Sequence, residues 1–170
     1  MKKVIISIFV LVPFLMLANR SMEQSQSANS PDYTTALGLK FGAYESGVSV
    51  KYFAAPTVSY EGILGFNNHG VVITGLYELN MQAFNVEGLK FYYGAGAHIG
   101  AEGKGQYQVL GDNEVYSSSH LLLGIDGVLG LEYKIPQTPI AVSVDLDPRV
   151  ELATGPIFDV GPALGLKYTF

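Results

Sequence analysis

Fourteen charged side chains recur at alternating positions in otherwise apolar stretches: Lys40, Lys51, Glu61, Glu78, Lys90, Asp126, Glu132, Lys134, Asp145, Asp147, Arg149, Glu151, Asp159 and Lys167. If one wall gathered these eight acids and six bases on its inner side, two outcomes are open. They could line a path for ions or relay protons, or they could neutralise one another as a salt-bridged plug. An unpaired buried charge is costly, which favours the plug. The subset Asp147, Arg149, Glu151 and Asp159 sets three acids against one base. It reads as a set of solvated residues at an opening, or as an attractor for cations.

Three histidines, His69, His98 and His120, raise the question of catalysis, the last beside Ser117-Ser118-Ser119. A serine, a histidine and Asp112 or Asp159 would supply a nucleophile, its base and an orienting acid. The spacing matches no catalytic motif, and His98 falls on the same inward parity as the charges. The glycines of Tyr93-Gly94-Ala95-Gly96-Ala97 alternate as in a strand and do not form a phosphate loop. No metal-ligand spacing is present, and the absence of cysteine excludes thiolate sites and disulfides. The expectation is a protein without catalysis, cofactor or metal.

Positioning the fourteen charges requires strands. Residues 158–170 place Phe158, Val160, Pro162, Leu164, Leu166, Tyr168 and Phe170 on one face, with polar, charged or small residues between them. The same alternation defines eight windows: Thr35–Tyr44, Val48–Phe53, Val58–Phe66, Val72–Phe84, Leu89–Ala101, Leu121–Ile135, Ile140–Leu152 and Phe158–Phe170. All fourteen charges take the parity opposite the apolar face. A lysine or arginine facing lipid at the bilayer midplane costs about 2–4 kcal/mol, enough to enforce such a rule.

The expected fold is therefore all-β, an eight-stranded antiparallel transmembrane up-and-down barrel over residues 33–170, with bilayer lipid against its outer face. Eight strands enclose a space just wide enough to be filled by side chains. Inward glycines such as Gly38, Gly94, Gly124, Gly130 and Gly165 suit that narrow interior. Pro148, on the outer parity, lacks a ladder donor and suggests a bulge or a position above the membrane. The second window is short, as is the link around Glu45-Ser46-Gly47.

The links orient the barrel. Ala54–Thr57, Asn85–Gly88 and Pro136–Pro139 are turn-like, whereas 102–120 is the longest. Long links belong outside the cell and short turns in the periplasm, so both termini are periplasmic. Tyr52, Tyr60, Phe91, Tyr93, Tyr133, Tyr168 and Phe170 then gather at the periplasmic rim. Within the long link, residues 106–110 and 114–118 read as two strands around Gly111-Asp112-Asn113. This external hairpin, carrying Tyr107, Val109, Val115 and Tyr116, could offer an edge to a surface protein partner.

The first 28 residues read as a secretory signal peptide with a polar leader. Lys2 and Lys3 precede an almost continuous apolar run from Val4 to Ala18, and cleavage after Ala18 or Ala28 is expected. The run is short for a spanning helix and Pro13 interrupts it. The full chain has a net charge of −5 at pH 7. Losing Lys2 and Lys3 makes it more acidic, which excludes a general nucleic-acid binder.

Signal, eight alternating strands and the ending Gly165-Leu166-Lys167-Tyr168-Thr169-Phe170 together resemble the small OmpA/OmpX-like outer-membrane barrels of Gram-negative bacteria. The resemblance implies an outer-membrane location beside lipopolysaccharide. It implies that Leu166, Tyr168 and Phe170 are read by the barrel assembly machinery. It also implies a structural or adhesive role through external loops, with a narrow pore or a lipid A-modifying enzyme as alternatives.

Overall fold

A computed structural model describes residues 32–67, 70–103, 105–109, 112–116, 119–153 and 157–170. The expected signal peptide, residues 1–28, lies outside them. The described chain is all-β: β1 (Thr35–Gly42), β2 (Ser46–Ala55), β3 (Val58–Asn67), β4 (Gly70–Gln82), β5 (Leu89–Glu102), β6 (Gly105–Val109), β7 (Asp112–Tyr116), β8 (His120–Lys134), β9 (Ile140–Glu151) and β10 (Ile157–Thr169). Eight of these close into an antiparallel barrel in the order β1-β10-β9-β8-β5-β4-β3-β2, and β6 and β7 form a separate two-stranded sheet.

Apolar and polar residues alternate along each barrel strand, and closure gives each set one side. On β4, Val71, Ile73 and Tyr77 are exposed, while Val72, Thr74, Leu76 and Glu78 are buried inside. The ladder carries Leu37 through Val50, Gly62, Gly75, Ala97, Ile125 and Val150 to Phe158. Because Leu164 lies opposite Phe41, Phe158 falls level with a position six residues beyond Phe41. One circuit thus ends about ten residues from its start, which for eight strands means a tilt of about 40° to the barrel axis.

Three local readings change. β2 is a full ten-residue strand, Ser46–Ala55, because Glu45 already closes the preceding turn: the Gly42 N–H donates to the Glu45 carbonyl at 2.9 Å. β1 accordingly stops at Gly42. Pro148 produces no bulge: Asp126↔Arg149 and Leu129↔Leu146 keep one register on either side of it, and only the pairs between them are missing. The proline removes ladder bonds without shifting the strands. β4 ends at Gln82, since Phe84 and Asn85 take positive φ (52° and 54°) in the turn before Gly88 (φ 76°).

Both ends of the described chain meet at the end of the barrel that carries the short turns, where the Thr34 N–H donates to the Phe170 carbonyl at 3.1 Å. Tyr52, Tyr60 and Tyr77 stand side by side on the outer wall there, with the Tyr60 and Tyr77 rings 5.6 Å apart. Tyr168 and Phe170 stack outward at 4.9 Å. The opposite end, away from the termini, is called the mouth below.

Candidate functional site

The interior of the barrel is the candidate site, and buried side chains from its strands meet there. On the side of β3, β4, β5 and β8, buried Ile63, Leu76, Tyr92 and Val128 pack together. Elsewhere the interior is occupied by ion pairs whose partners come from strands far apart in sequence.

The deepest group lies toward the turn end. Lys51 on β2 contacts Glu78 on β4 at 3.0 Å and Glu132 on β8 at 3.4 Å, with all three side chains almost fully buried. Lys167 on β10 contacts Glu61 on β3 at 2.8 Å and Glu132 at 3.5 Å. Neutral donors complete the cluster: Ser49 donates to Glu61, and Ser59 to Glu78 at 2.9 Å. The Lys51 ammonium also sits 4.2 Å above the Tyr92 ring.

An aromatic pair lies at the turn end. Tyr33, just before β1, packs edge-on against Phe53 and donates its hydroxyl to Glu132. Burial and the Glu132 carboxylate push that hydroxyl far above the usual phenol range, so it remains a donor. Lys90 lies over Phe53 at 4.7 Å and pairs with Asp32 at 3.1 Å. Lys134 turns away to the β8–β9 link, donating to the carbonyls of Ile135 and Thr138.

A second group lies toward the mouth. Lys40 bridges Asp145 at 3.1 Å and Asp147 at 3.2 Å, and Asp145 also accepts from the Tyr92 hydroxyl. Arg149 contacts Asp126 at 2.8 Å and Glu45 at 3.4 Å, with its guanidinium over the Tyr44 ring. His98 lies between Asp126 and Glu151, one at each ring nitrogen. Asp159 is opposite Arg149 in the ladder and accepts from the Val160 N–H.

The subset Asp147, Arg149, Glu151 and Asp159 stands at this mouthward level. All four are only partly exposed, and the first three are engaged in ion pairs. A cavity of about 20 Å³ remains among Lys40, Gly42, Tyr44, Glu45, Asp147 and Arg149, room for a single water.

Several participants stand outside the fourteen charges. Tyr33 and Glu45 flank the expected strands and carry no alternation signal, whereas Tyr44 ends the first window on the inward parity of Lys40. Tyr92 has the inward parity but reads as one more aromatic. His69, Ser117 and Ser118 lie outside the described residues, and so do the side chains of Tyr107, Val109, Val115, Tyr116 and His120. The backbone of the expected external hairpin is present as β6 and β7, paired from Gly105↔Tyr116 to Val109↔Asp112. Leu166, Tyr168 and Phe170 form an exposed outward row. Among the described residues no cluster of three or more His, Asp or Glu could hold a metal ion.

Chemically, this interior holds opposite charges in mutual contact. Neither a protein-family model nor a curated protein sequence matches this chain.

Proposed function

We propose that this chain spans a Gram-negative outer membrane as a small OmpA/OmpX-like barrel with a plugged interior, and that it acts as a structural and surface-interaction protein through the links at its mouth. One observation carries the reading. The outer wall is apolar around the barrel, while charged side chains such as Lys40, Lys51, Glu61, Glu78, Glu132 and Lys167 are buried inside it. On β4 the exposed apolar row runs from Val71 to Met81. At a rise of about 3.3 Å per residue and a tilt of about 40°, that row is about 25 Å tall, the height of the apolar band of outer-membrane barrels. Water on that wall would leave a large apolar surface exposed, which a soluble monomer avoids.

Residues 1–28 would direct export, and the row Leu166, Tyr168 and Phe170 would be recognised by the barrel assembly machinery. Lipopolysaccharide and phospholipid would contact the wall, and the β6–β7 hairpin would face the outside, available to a protein partner. The ion-paired interior supports a closed barrel without catalysis.

Several measurements test this. The protein should fractionate with the outer membrane and migrate anomalously on gels until boiled. In planar bilayers it should show no steady conductance, whereas well-defined channels would replace the plugged reading with that of a narrow pore. Deleting 105–116 should leave the barrel folded and reduce adhesion of cells that display it. Unchanged adhesion would refute the role of the hairpin.

A further inference from the structure

His98 is buried on β5 with hydrogen-bond partners at both ring nitrogens. Nδ1 lies 2.9 Å from Asp126 Oδ2 on β8, and Nε2 lies 2.9 Å from Glu151 Oε2 on β9. Both partners are ionised by their other contacts. Asp126 Oδ1 accepts from the Arg149 Nε–H at 2.8 Å. Glu151 Oε1 accepts the backbone N–H groups of Leu123 at 2.9 Å and Ala153 at 3.0 Å. Two carboxylates that only accept oblige both ring nitrogens to donate, so His98 in this arrangement is an imidazolium.

Other elements around His98 do not alter that requirement. Thr74 of β4, opposite His98 in the ladder, is neutral and donates to Glu45 of the β1–β2 turn. Glu45 is turned to Arg149. On β8 the ladder partner is Gly124, whose missing side chain leaves the ring its space. Glu102, further along β5, pairs with Asn67.

Glu151 thus joins three things. Its carboxylate takes the imidazolium through one oxygen. Through the other it holds β8 at Leu123 and the first residues of the β9–β10 link. Of the two acids it is the more exposed, with 13% of its side chain accessible against 5% for Asp126, and it stands at the end of its strand.

We propose that His98 is a proton-operated latch: as an imidazolium it holds Glu151 and so fastens Ala153, just beyond the end of β9, to the barrel, and its deprotonation releases Ala153. Loss of the proton brings a lone pair of the ring against a carboxylate oxygen. Asp126 stays with Arg149, so Glu151 swings out and the Ala153 N–H loses its acceptor. The latch is shut over the pH span in which the acids are ionised and the ring is protonated. It opens on the alkaline side. The inference goes beyond the proposed membrane role and needs only the barrel interior.

Nuclear magnetic resonance of ¹⁵N-histidine-labelled full-length protein in detergent micelles tests it, together with amide exchange normalised to intrinsic rates. Both His98 ring nitrogens should be protonated below the transition. Through that transition, protection at Ala153 should fall about tenfold, the loss of one charge-assisted hydrogen bond. Leu76 and Gly94, in mid-wall, should keep theirs. In Glu151→Gln, which folds without needing the imidazolium, the protection of Ala153 should no longer follow the His98 titration. The latch is overturned if only one ring nitrogen is protonated while both acids are ionised. Unchanged Ala153 protection across the transition overturns it too, as does a Glu151→Gln protein with the same pH dependence as the parent.

Discussion

Tyr92 on β5 hydrogen-bonds Asp145 on β9 across the intervening strand β8, passing over Gly130, which is paired with both. Strands two apart are separated by about 9–10 Å, a gap that side chains bridge only when the middle position has none. The device recurs three layers nearer the mouth, where His98 crosses Gly124 to reach Glu151. These glycines are the negative image of the bulky residues beside them.

A Cβ on Gly130 would lie 2.7 Å from Tyr92 Cζ. Gly130→Ala should therefore destabilise the barrel by about 1–3 kcal/mol, the usual cost of overpacking. Gly62 and Gly75, on the outer wall, have nothing within 4 Å of such a Cβ. Alanine at those two sites should change stability by less than about 0.5 kcal/mol. Urea unfolding in lipid vesicles compares the three. Equal effects at Gly130 and Gly62 would mean that the interior is not packed as described.

The ion pairs give a second prediction. Lys51 is the one cation paired with Glu78 among the described contacts, so Lys51→Met leaves that buried carboxylate uncompensated. The cost should be about 3–5 kcal/mol. The double variant Lys51→Met/Glu78→Gln should recover much of it, because Glu132 keeps Lys167. A double-mutant cycle in the same vesicles reads the coupling. Additive losses would show that the two side chains do not depend on each other.

How much of this the sequence discloses depends on which property is asked for. The eight strands and the inward parity of residues such as Lys51, Glu78 and Lys167 follow from a period of two, a local property. Which residues meet does not. Lys167 finds Glu61 because β10, β1, β2 and β3 are staggered by the slip of the barrel, a sum of registers set by turns. Alternation is unchanged by any slip of two, so it carries no information on partners. Tyr33 and Glu45 enter the interior from links, where no period exists to betray them. Arg149 and Glu151 have no partner legible on their own strand, and His98, Asp126 and Glu45 from other elements pair with them.

Tyr33 supplies a pH dependence. Its hydroxyl titrates far above the usual phenol range in the folded protein, because burial and the Glu132 carboxylate oppose the phenolate. The unfolded chain releases that proton near pH 10. Below that value both states hold the proton and the contribution is complete. Above it the unfolded state is favoured, and stability falls as pH rises. Tyr33→Phe should lower stability at neutral pH by about 1–3 kcal/mol, since Glu132 loses a donor. It should also flatten the alkaline decline. Chemical denaturation of both proteins at several pH values above 10 reads the difference, and parallel declines would exclude Tyr33 as its source.

The proposed bilayer contact is tested at Ile73, on the β4 outer row two residues in from Val71 and 58% exposed. If lipid covers this position, Ile73→Lys places an ammonium between the midplane and the interface and should cost about 1–3 kcal/mol. If water covers it, the same change replaces an exposed apolar side chain with a soluble one and should leave stability within about 0.5 kcal/mol. Phe84→Lys is the matched control. Phe84 is more exposed than Ile73 but stands in the turn beyond the end of β4, where a lysine should cost no more than about 1 kcal/mol. Folding free energies of the two variants in phospholipid vesicles, set against the parent, separate the cases: a large loss at Ile73 with little at Phe84 locates the wall in lipid, whereas two small effects would remove the protein from the membrane.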